Sequence, residues 1–280
     1  MQNINSKASI LLTVYSKSSG KFLDECFKSI YDQTHLPNEV LLIQEGEIAS
    51  ETHDVIEKWK LKFKDIFTHK IIDFQNGPMG FGLPSSLNYG IKEAKFEYII
   101  RMDTDDICDK TRIEKQLIFA DNNPEIDLFG SHIIEFDEEL KVETGRRQVP
   151  LLHNNIIKSS KFKNPFNGPA VVFKKDVALE LGGYPIVASN EDYCFWALFI
   201  KKNRKLKNQD EYLVNMRGGD AIIDRRSSKR YRKGELMSLQ YLRNIGFFNS
   251  YEYYAHVILK TIIRNMPFIF VKQFYNKILR

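Results

Sequence analysis

The sequence has 280 residues, of which 43% are hydrophobic and 28% are charged, a composition typical of a soluble globular protein. This length allows one large α/β domain with an appendage, or two small domains. Three widely spaced cysteines, an odd number, argue against a disulfide framework or a zinc site and indicate a reducing compartment. The first residues lack the apolar stretch of a signal peptide, and no apolar run reaches the roughly 18 residues of a membrane-spanning helix.

Charge is unevenly distributed along the chain, although the net charge is only +5. Residues 1–224 carry 29 Lys and Arg against 34 Asp and Glu, a net of −5. Residues 225–280 carry 12 Lys and Arg against Glu235 and Glu252, a net of +10. This basic segment favours an anionic partner, a phospholipid surface or a lipid diphosphate. Nucleic acid would also fit the charge, but no recognised reader motif accompanies it, so no nucleic-acid partner is expected.

The first 102 residues alternate short apolar runs with segments of helical periodicity. Buried strands are predicted at 9–15, 39–43, 70–73 and 98–102, and amphipathic helices at 22–31, 51–63 and 84–94. This alternation predicts a parallel sheet with helices on both faces. A glycine-rich loop at 77–82 lacks the spacing of a dinucleotide or phosphate-loop fingerprint, and is expected to form a tight turn or a mobile lid.

The second part of the chain is predicted to mix helices and short strands. Helices are predicted at 112–122, 177–181 and 191–202, and strands at 127–136, 170–173 and 212–216. A turn-rich loop is predicted at 163–169.

The most informative run is Asp103-Thr104-Asp105, which follows the strand predicted at 98–102. Alternate side chains of an extended chain point the same way, so Asp103 and Asp105 share a face. Ligands of open α/β sheets bind at the carboxyl ends of strands, and paired carboxylates suit Mg²⁺ or Mn²⁺ holding a diphosphate. Asp106 and Asp109 are expected to be loop or capping acids. A solvated acidic turn is the alternative for the whole run.

A series of further short motifs follows in a fixed order over nearly the whole chain. The motifs are Gln33-Thr34-His35-Leu36-Pro37-Asn38-Glu39-Val40, Ser86-Leu87-Asn88-Tyr89-Gly90-Ile91, Arg101-Met102-Asp103-Thr104-Asp105-Asp106, Arg112 with Gln116, Asn164-Pro165-Phe166-Asn167, Val172-Phe173-Lys174-Lys175, Gly182-Gly183-Tyr184, Glu191-Asp192-Tyr193, and Arg217 before Arg225-Arg226. Together they resemble the family 2 glycosyltransferases, in the branch that makes amylovoran, capsule and O-antigen polysaccharides.

This resemblance implies the α/β GT-A fold, in which a nucleotide-binding, mostly parallel sheet joins an acceptor-binding half. The implied enzyme inverts the anomeric centre and moves a hexose, with UDP-Glc or UDP-Gal favoured as donor, to a lipid-diphosphate-linked saccharide. The implied cofactor is a divalent metal, Mn²⁺ or Mg²⁺. The implied catalytic domain spans 1–224, with halves 1–110 and 111–224, and a basic helical tail spans 225–280. The implied location is the bacterial cytoplasm, at the inner face of the cytoplasmic membrane.

The resemblance also implies roles for individual residues that match the motifs. Asp103 and Asp105 would hold the metal, Asp103 would also contact the ribose, and Asp192 would be the catalytic base. The other implied donor-binding residues are Thr13, Tyr15, Glu45, Asn88, Arg101, Arg225 and Arg226. The implied acceptor-binding residues are Asn167, Glu191 and Trp196.

Elementary chemistry agrees with these roles but leaves structural alternatives open. A divalent cation stabilises charge on a leaving diphosphate, and a carboxylate such as Asp192 can take the proton of the attacking hydroxyl. Guanidinium groups such as Arg225 and Arg226 suit phosphate oxygens, although an exposed basic loop fits equally well. An acid at a helix start also caps the helix, and Trp196 in an apolar helix also fits a core.

Two positions depart from the family pattern. Glu45 stands where many relatives have an Asp that meets the nucleotide base, and Gly168 stands where many have a His. These departures keep open a non-catalytic, membrane-docked relative of the family. A nucleotidyltransferase is a further alternative, disfavoured because the segment 15–20 holds a single basic residue, Lys17.

Apolar residues of the basic tail recur at helical spacing. The first stripe consists of Tyr251, Tyr254, Ala255, Ile258, Leu259 and Ile262, and more apolar residues follow Pro267. Interleaved Lys and Arg residues predict a pair of amphipathic helices lying on an anionic membrane surface. The alternative is that these helices pack on the catalytic domain.

Overall fold

The computed structural model describes residues 3–73, 82–218 and 229–265. Its strands are β1 (Ala8–Val14), β2 (Glu39–Glu45), β3 (Phe67–Ile72), β4 (Tyr98–Arg101), β5 (Ile107–Cys108), β6 (Leu128–Phe136), β7 (Glu143–Arg147), β8 (Val172–Lys174) and β9 (Leu206–Arg217). Its α-helices are α1 (Gly20–Tyr31), α2 (Ser50–Phe63), α3 (Gly82–Glu93), α4 (Arg112–Asn122), α5 (His153–Ser160), α6 (Lys175–Glu180), α7 (Glu191–Lys201), α8 (Lys229–Asn244) and α9 (Ser250–Asn265). Most of the loop at 77–82, together with Arg225, Arg226 and the residues after 265, lies outside the described ranges.

Within the described residues, the strands form one mixed sheet in the order β3-β2-β1-β4-β8-β6-β9-β5, with β7 paired to β6. Strands β3, β2, β1 and β4 run parallel, which confirms the parallel sheet predicted for the first 102 residues. Strand β8 then pairs antiparallel to both β4 and β6, and β6 pairs parallel to β9. The α/β architecture is as predicted, and the carboxyl ends of β1, β2 and β4 share one edge.

The central strands are buried on both faces, which explains their continuous apolar runs. Alternate residues face opposite sides. On one face, Ile10 and Leu12 belong to the core that also contains buried residues of α1, α2 and α4. On the other face, Leu11 and Leu41 belong to the core formed with α3, α6 and α7. Burial of each such side chain contributes about 1.5–3 kcal/mol.

Several helices and strands lack the hydrophobic periodicity from which such elements are predicted. Strand β5 has two residues, and β7 (Glu143–Arg147) is a polar strand with no fully buried position. Helix α5 is short and buries only Ile156 and Ser160. Strand β9 starts at Leu206, before the predicted 212. After Leu206 its first half is polar, with Asn208 and Gln209 buried, so it has no apolar run from which a strand is predicted.

The C-terminal helices differ in how they meet the rest of the protein. Helix α8 and the following loop pack on α7 through an apolar cluster. This cluster consists of Val187, Cys194, Ala197, Leu239, Leu242, Phe247 and Phe248. Helix α8, which precedes the helices predicted from Tyr251 onward, therefore packs on the rest of the protein. The proposed boundary at 224 and 225 falls outside the described residues and stays a prediction.

The structure corrects the acceptor-binding role of Trp196, whose side chain is fully buried. Its indole packs among aromatic rings of the core. These rings are Phe166, Phe173, Tyr184, Phe195 and Phe199. Enclosed in this way, Trp196 offers no surface to an acceptor, and it stabilises the packing of α7 on the sheet.

We expect Trp196→Ala to lower the free energy of unfolding by about 3–5 kcal/mol, because it leaves a cavity in a close-packed core. Urea denaturation followed by fluorescence and circular dichroism would measure the shift. Phe162→Ala is the matched control, since Phe162 is 81% exposed and its loss should change stability by no more than about 0.5 kcal/mol. Equal stability of Trp196→Ala and the parent protein would contradict the core role.

Candidate active site

Three carboxylates lie together in the turn that follows β4. Asp103, Asp105 and Asp106 each offer an oxygen, and these oxygens lie within 4.8 Å of one another. Asp105 is exposed, Asp103 is half-buried and Asp106 is buried. Burial, with Asp105 and Asp103 nearby, raises the pKa of the Asp106 carboxyl well above its usual range. Three hard oxygen donors at this spacing fit a divalent cation such as Mg²⁺ or Mn²⁺.

Asp106 and Asp109 were both expected to be loop or capping acids, but the structure separates them. Asp109 accepts from the backbone N–H of Thr111 at 2.9 Å and from its hydroxyl at 2.6 Å, beside the start of α4. Asp106 lies with the other two carboxylates, and its Oδ1 accepts from the backbone N–H of Arg217 at 2.8 Å. Strand β5, which directly follows Asp106, pairs with β9 and so brings Asp106 close to Arg217. The spacing of residues along the sequence does not indicate the pairing of β5 with β9.

The predicted base-pocket residues lie where β1 and β2 end. The carbonyl of Thr13 accepts from the Thr104 hydroxyl at 3.2 Å, which ties the end of β1 to the acidic turn. Tyr15 follows with about half of its side chain exposed (51%). Glu45 ends β2 and accepts from the Ser86 hydroxyl at 3.0 Å. A Cβ at Gly82 would lie 2.1 Å from a Glu45 carboxylate oxygen, so a side chain at position 82 would require this carboxylate to shift.

Arg101, the last residue of β4, is buried between carboxylates from both halves of the chain. Its Nη1 lies 2.6 Å from Oδ2 of Asp103. Burial opposes the charge of Arg101, but the carboxylates of Asp103 and Asp192 outweigh it and raise the pKa of the guanidinium. Arg101 therefore links the acidic turn to α7.

Asp192 lies in the first turn of α7, after Asn190 in the left-handed conformation (φ 55°). Burial raises the pKa of the Asp192 carboxyl to about 7, although Arg101 acts in the opposite direction. Its Oδ1 is buried and has no hydrogen-bond partner among the described residues. A Cβ at position 168 would lie 2.0 Å from Oδ2 of Asp192. Gly168 therefore leaves the space that this carboxyl occupies, and a larger residue at 168 would require the carboxyl to shift.

Tyr184 is a site neighbour that sequence reasoning did not single out. Its side chain is buried, its hydroxyl has no partner among the described residues, and burial followed by the charge of Asp192 raises its pKa. The Gly182-Gly183-Tyr184 motif was the available signal, since Gly183 has φ +74°. The side chain of Asn88 fixes this turn, donating to the Tyr184 carbonyl at 2.8 Å and accepting from its N–H at 2.6 Å. Asn88 thus supports the site by fixing the backbone of Tyr184, and its side-chain amide is already hydrogen-bonded there.

The other predicted acceptor residues lie close to this centre. Asn167 is buried and donates to the carbonyls of Ser131 and Arg147, at 3.0 and 3.4 Å. Its Oδ1 is buried and has no partner among the described residues. Glu191 begins α7 and is half-buried. The predicted diphosphate clamp, Arg225 and Arg226, lies outside the described ranges.

Solved structures with the same fold were found at low sequence identity. A fragment of S. aureus TarS, residues 1–349, solved in complex with UDP, superposes with a TM-score of 0.60 at 16% identity. The match covers 97% of this chain and 75% of that one. A mannosyltransferase from Pyrobaculum calidifontis, solved with GDP-Man and Mn²⁺, gives a TM-score of 0.60 at 12% identity, over 84% of this chain and 63% of that one. These likenesses show that the chain has the GT-A fold.

Two characterised relatives match almost from end to end. The chain is 30% identical to the Escherichia coli UDP-Gal:alpha-D-GlcNAc-diphosphoundecaprenol beta-1,3-galactosyltransferase, over 100% of this chain and 99% of the relative. It is 30% identical to the amylovoran biosynthesis glycosyltransferase AmsE of Erwinia amylovora, over 96% and 98%. The model of glycosyl transferase family 2 matches residues 9–179, which include the acidic turn and Gly168. The chain therefore belongs to glycosyltransferase family 2.

Proposed function

We propose that this chain is an inverting, metal-dependent hexosyltransferase. It transfers a hexose from a UDP-sugar, with UDP-Glc or UDP-Gal favoured, to a lipid-diphosphate-linked saccharide in O-antigen or capsule synthesis. The observation that carries the proposal is the pair of carboxylate sites, the acidic turn and Asp192, joined by buried Arg101. The name of the E. coli relative, a galactosyltransferase for a diphosphoundecaprenol-linked sugar, supports this choice of donor and acceptor.

The donor would bind at the shared carboxyl edge of β1, β2 and β4. Thr13, Tyr15 and Glu45 surround the place proposed for the nucleotide base, and Arg225 and Arg226 are proposed to clamp the diphosphate. Asp103 and Asp105 would hold the divalent cation, with Asp106 as the third carboxylate of the group. When bound, this cation supplies Lewis-acid stabilisation of the leaving UDP.

Asp192 is proposed as the general base. The acceptor hydroxyl attacks the anomeric carbon and breaks the bond to UDP, while its proton passes to a carboxylate oxygen of Asp192. Oδ1 of Asp192 has no hydrogen-bond partner among the described residues, which supports a carboxylate available for that proton. Arg101 favours the ionised form of this carboxyl but does not offset the larger effect of burial. Glu191 and Asn167 are proposed to contact the acceptor.

Substitutions at the acidic turn and at Asp192 are expected to affect different steps of the reaction. Asp105→Ala should weaken UDP binding in the presence of Mn²⁺ and also abolish transfer. Asp192→Asn should leave UDP binding intact and lower kcat by about 10²–10⁴, the usual contribution of a general base. Calorimetry with UDP and Mn²⁺, together with a UDP-release assay over UDP-sugars and a lipid-diphosphate acceptor, would measure both.

Asp109→Asn is the matched control, because Asp109 caps the backbone beside α4 and lies outside the carboxylate group. Its kcat should stay close to that of the parent protein. Transfer that survives in both Asp105→Ala and Asp192→Asn would contradict the mechanism.

Transfer should depend on pH through Asp192, whose pKa is raised to about 7. A base must be deprotonated to act, so kcat should be at its plateau above pH 7 and fall about tenfold per pH unit below it. Steady-state rates between pH 5.5 and 9 would show this limb, and UDP binding over the same range would separate it from loss of donor. A kcat that stays level down to pH 5.5 would contradict the assignment.

The same protein is proposed to bind the anionic inner surface of the bacterial membrane through its C-terminal helices. Among the described helices, none is long and apolar enough to cross a bilayer. Helix α9 meets the rest of the protein through both polar and apolar residues. Glu252 pairs with Lys161, and Lys260 pairs with Glu235. Tyr253 and Val257 pack on the apolar cluster between α7 and α8. Nε2 of His256 lies 2.8 Å from the Lys161 carbonyl.

The apolar stripe of α9 faces away from the protein. Its large residues are roughly half to mostly exposed, namely Tyr251 (83%), Tyr254 (55%), Ile258 (58%), Leu259 (48%) and Ile262 (51%). When a helix packs on a soluble protein, its large apolar residues normally point toward that protein. An outward apolar stripe in a segment of net charge +10 fits the interface of an anionic bilayer.

We expect the double variant Ile258→Glu, Ile262→Glu to bind vesicles of phosphatidylcholine and phosphatidylglycerol at least about tenfold more weakly, because it puts charge into the buried stripe. Vesicle sedimentation would measure binding, and pure phosphatidylcholine vesicles would show the part due to lipid charge. Leu61→Glu is the control, since Leu61 is an exposed apolar residue of α2 (78%). If vesicle binding is unchanged, and the parent protein forms a dimer that the double variant does not form, the stripe is instead the contact with a second copy of the chain.

A further inference from the structure

Arg217, the last residue of β9, lies buried behind the acidic turn and takes no part in the mechanism above. Its Nε donates to the carbonyl of Asp105 at 2.7 Å, and its backbone N–H donates to Oδ1 of Asp106 at 2.8 Å. Arg217 therefore contacts the main chain of Asp105 and the side chain of Asp106.

The remaining guanidinium nitrogens of Arg217 reach two other elements. Nη1 donates to the carbonyl of Glu138 at 2.5 Å, in the turn between β6 and β7. Nη2 pairs with Glu25 of α1 at 2.5 Å, and the guanidinium lies 4.0 Å from the ring centroid of Phe22. Each of the three nitrogens has a separate partner, so the planar group is held in a single orientation.

The acidic turn itself has few regular hydrogen bonds, since it lies between four-residue β4 and two-residue β5. Side chains bind the backbone carbonyls of this turn and of the residue before it. Arg112 donates to the carbonyl of Arg101 at 2.8 Å, and the Cys26 thiol contacts the carbonyl of Asp103 at 3.5 Å. Arg217 holds the carbonyl of Asp105, the most exposed of the three acids.

We propose that Arg217 is a positioning residue for the metal site: by holding the Asp105 carbonyl and the Asp106 carboxylate, it sets the geometry in which the three acids bind a divalent cation. This inference rests on the metal site of the proposed function. Arg217 acts through the backbone and does not itself touch donor or cation.

The sign of the effect distinguishes positioning from simple electrostatics. A buried cation beside a metal site repels Mn²⁺, so loss of charge alone would tighten metal binding. Loss of positioning would weaken it, because a carboxylate group that is free to move must be ordered when the metal binds. Arg217→Lys keeps the charge and loses the planar fork, whereas Arg217→Gln loses both.

The test is a titration of the purified full-length protein with Mn²⁺ in saturating UDP, followed by electron paramagnetic resonance. We expect Arg217→Gln and Arg217→Lys each to raise the Kd for Mn²⁺ about tenfold, as for the loss of one charge-assisted hydrogen bond. Glu25→Gln is the matched control, because it removes the ion pair and leaves the bond to Asp105; its Kd should stay within about twofold. Melting temperatures without metal would report how much each change destabilises the fold.

Metal affinity in both Arg217 variants equal to or tighter than that of the parent protein would overturn the positioning role. An equal loss of affinity in Glu25→Gln would also overturn it, because the effect would then follow general destabilisation. If Arg217→Gln does not fold, the comparison of Arg217→Lys with Glu25→Gln still decides. A parent protein that fails to bind Mn²⁺ with UDP would overturn the proposed metal site and this inference with it.

Discussion

The guanidinium of Arg101 is buried at the point where the two halves of the sheet meet, with Asp103 on one side and Asp192 on the other. A buried charge costs several kcal/mol of desolvation unless carboxylates compensate it. The two acids come from distant parts of the chain, so both carboxylates act on Arg101 only when α7 is docked beside the end of β4. The packing of α7 therefore also assembles this part of the site.

This arrangement also explains why two nearby carboxylates behave differently. Asp103 is partly open to solvent and pairs directly with Arg101. Asp192 shares the same cation but lies in a more enclosed place, where burial dominates and raises its pKa to about 7. The same cation therefore acts on two carboxyls that differ in burial, and this difference in environment distinguishes two identical side chains.

Asp103 and Asp105 were expected on one face of an extended chain, but they lie together in a turn. The sequence did predict the elements that flank this turn, since the strand predicted at 98–102 matches β4 and the helix predicted at 112–122 matches α4. It did not reveal Asp106 as a third member, because β5 pairs with β9 more than 100 residues later. Nor could it decide between an acceptor contact and a core position for Trp196, four positions after Asp192 on one helix, because only the packed structure shows that Trp196 is fully buried.

Helix α7 is covered on two sides by different parts of the chain. Phe195 and Trp196 pack toward the sheet, while Cys194 and Ala197 pack against α8 and the loop that follows it. Helix α8 and the loop that follows it thus complete the core around the helix that carries Asp192. A stretch that the sequence sets apart by its charge is therefore one layer of the packing that holds Asp192 in place.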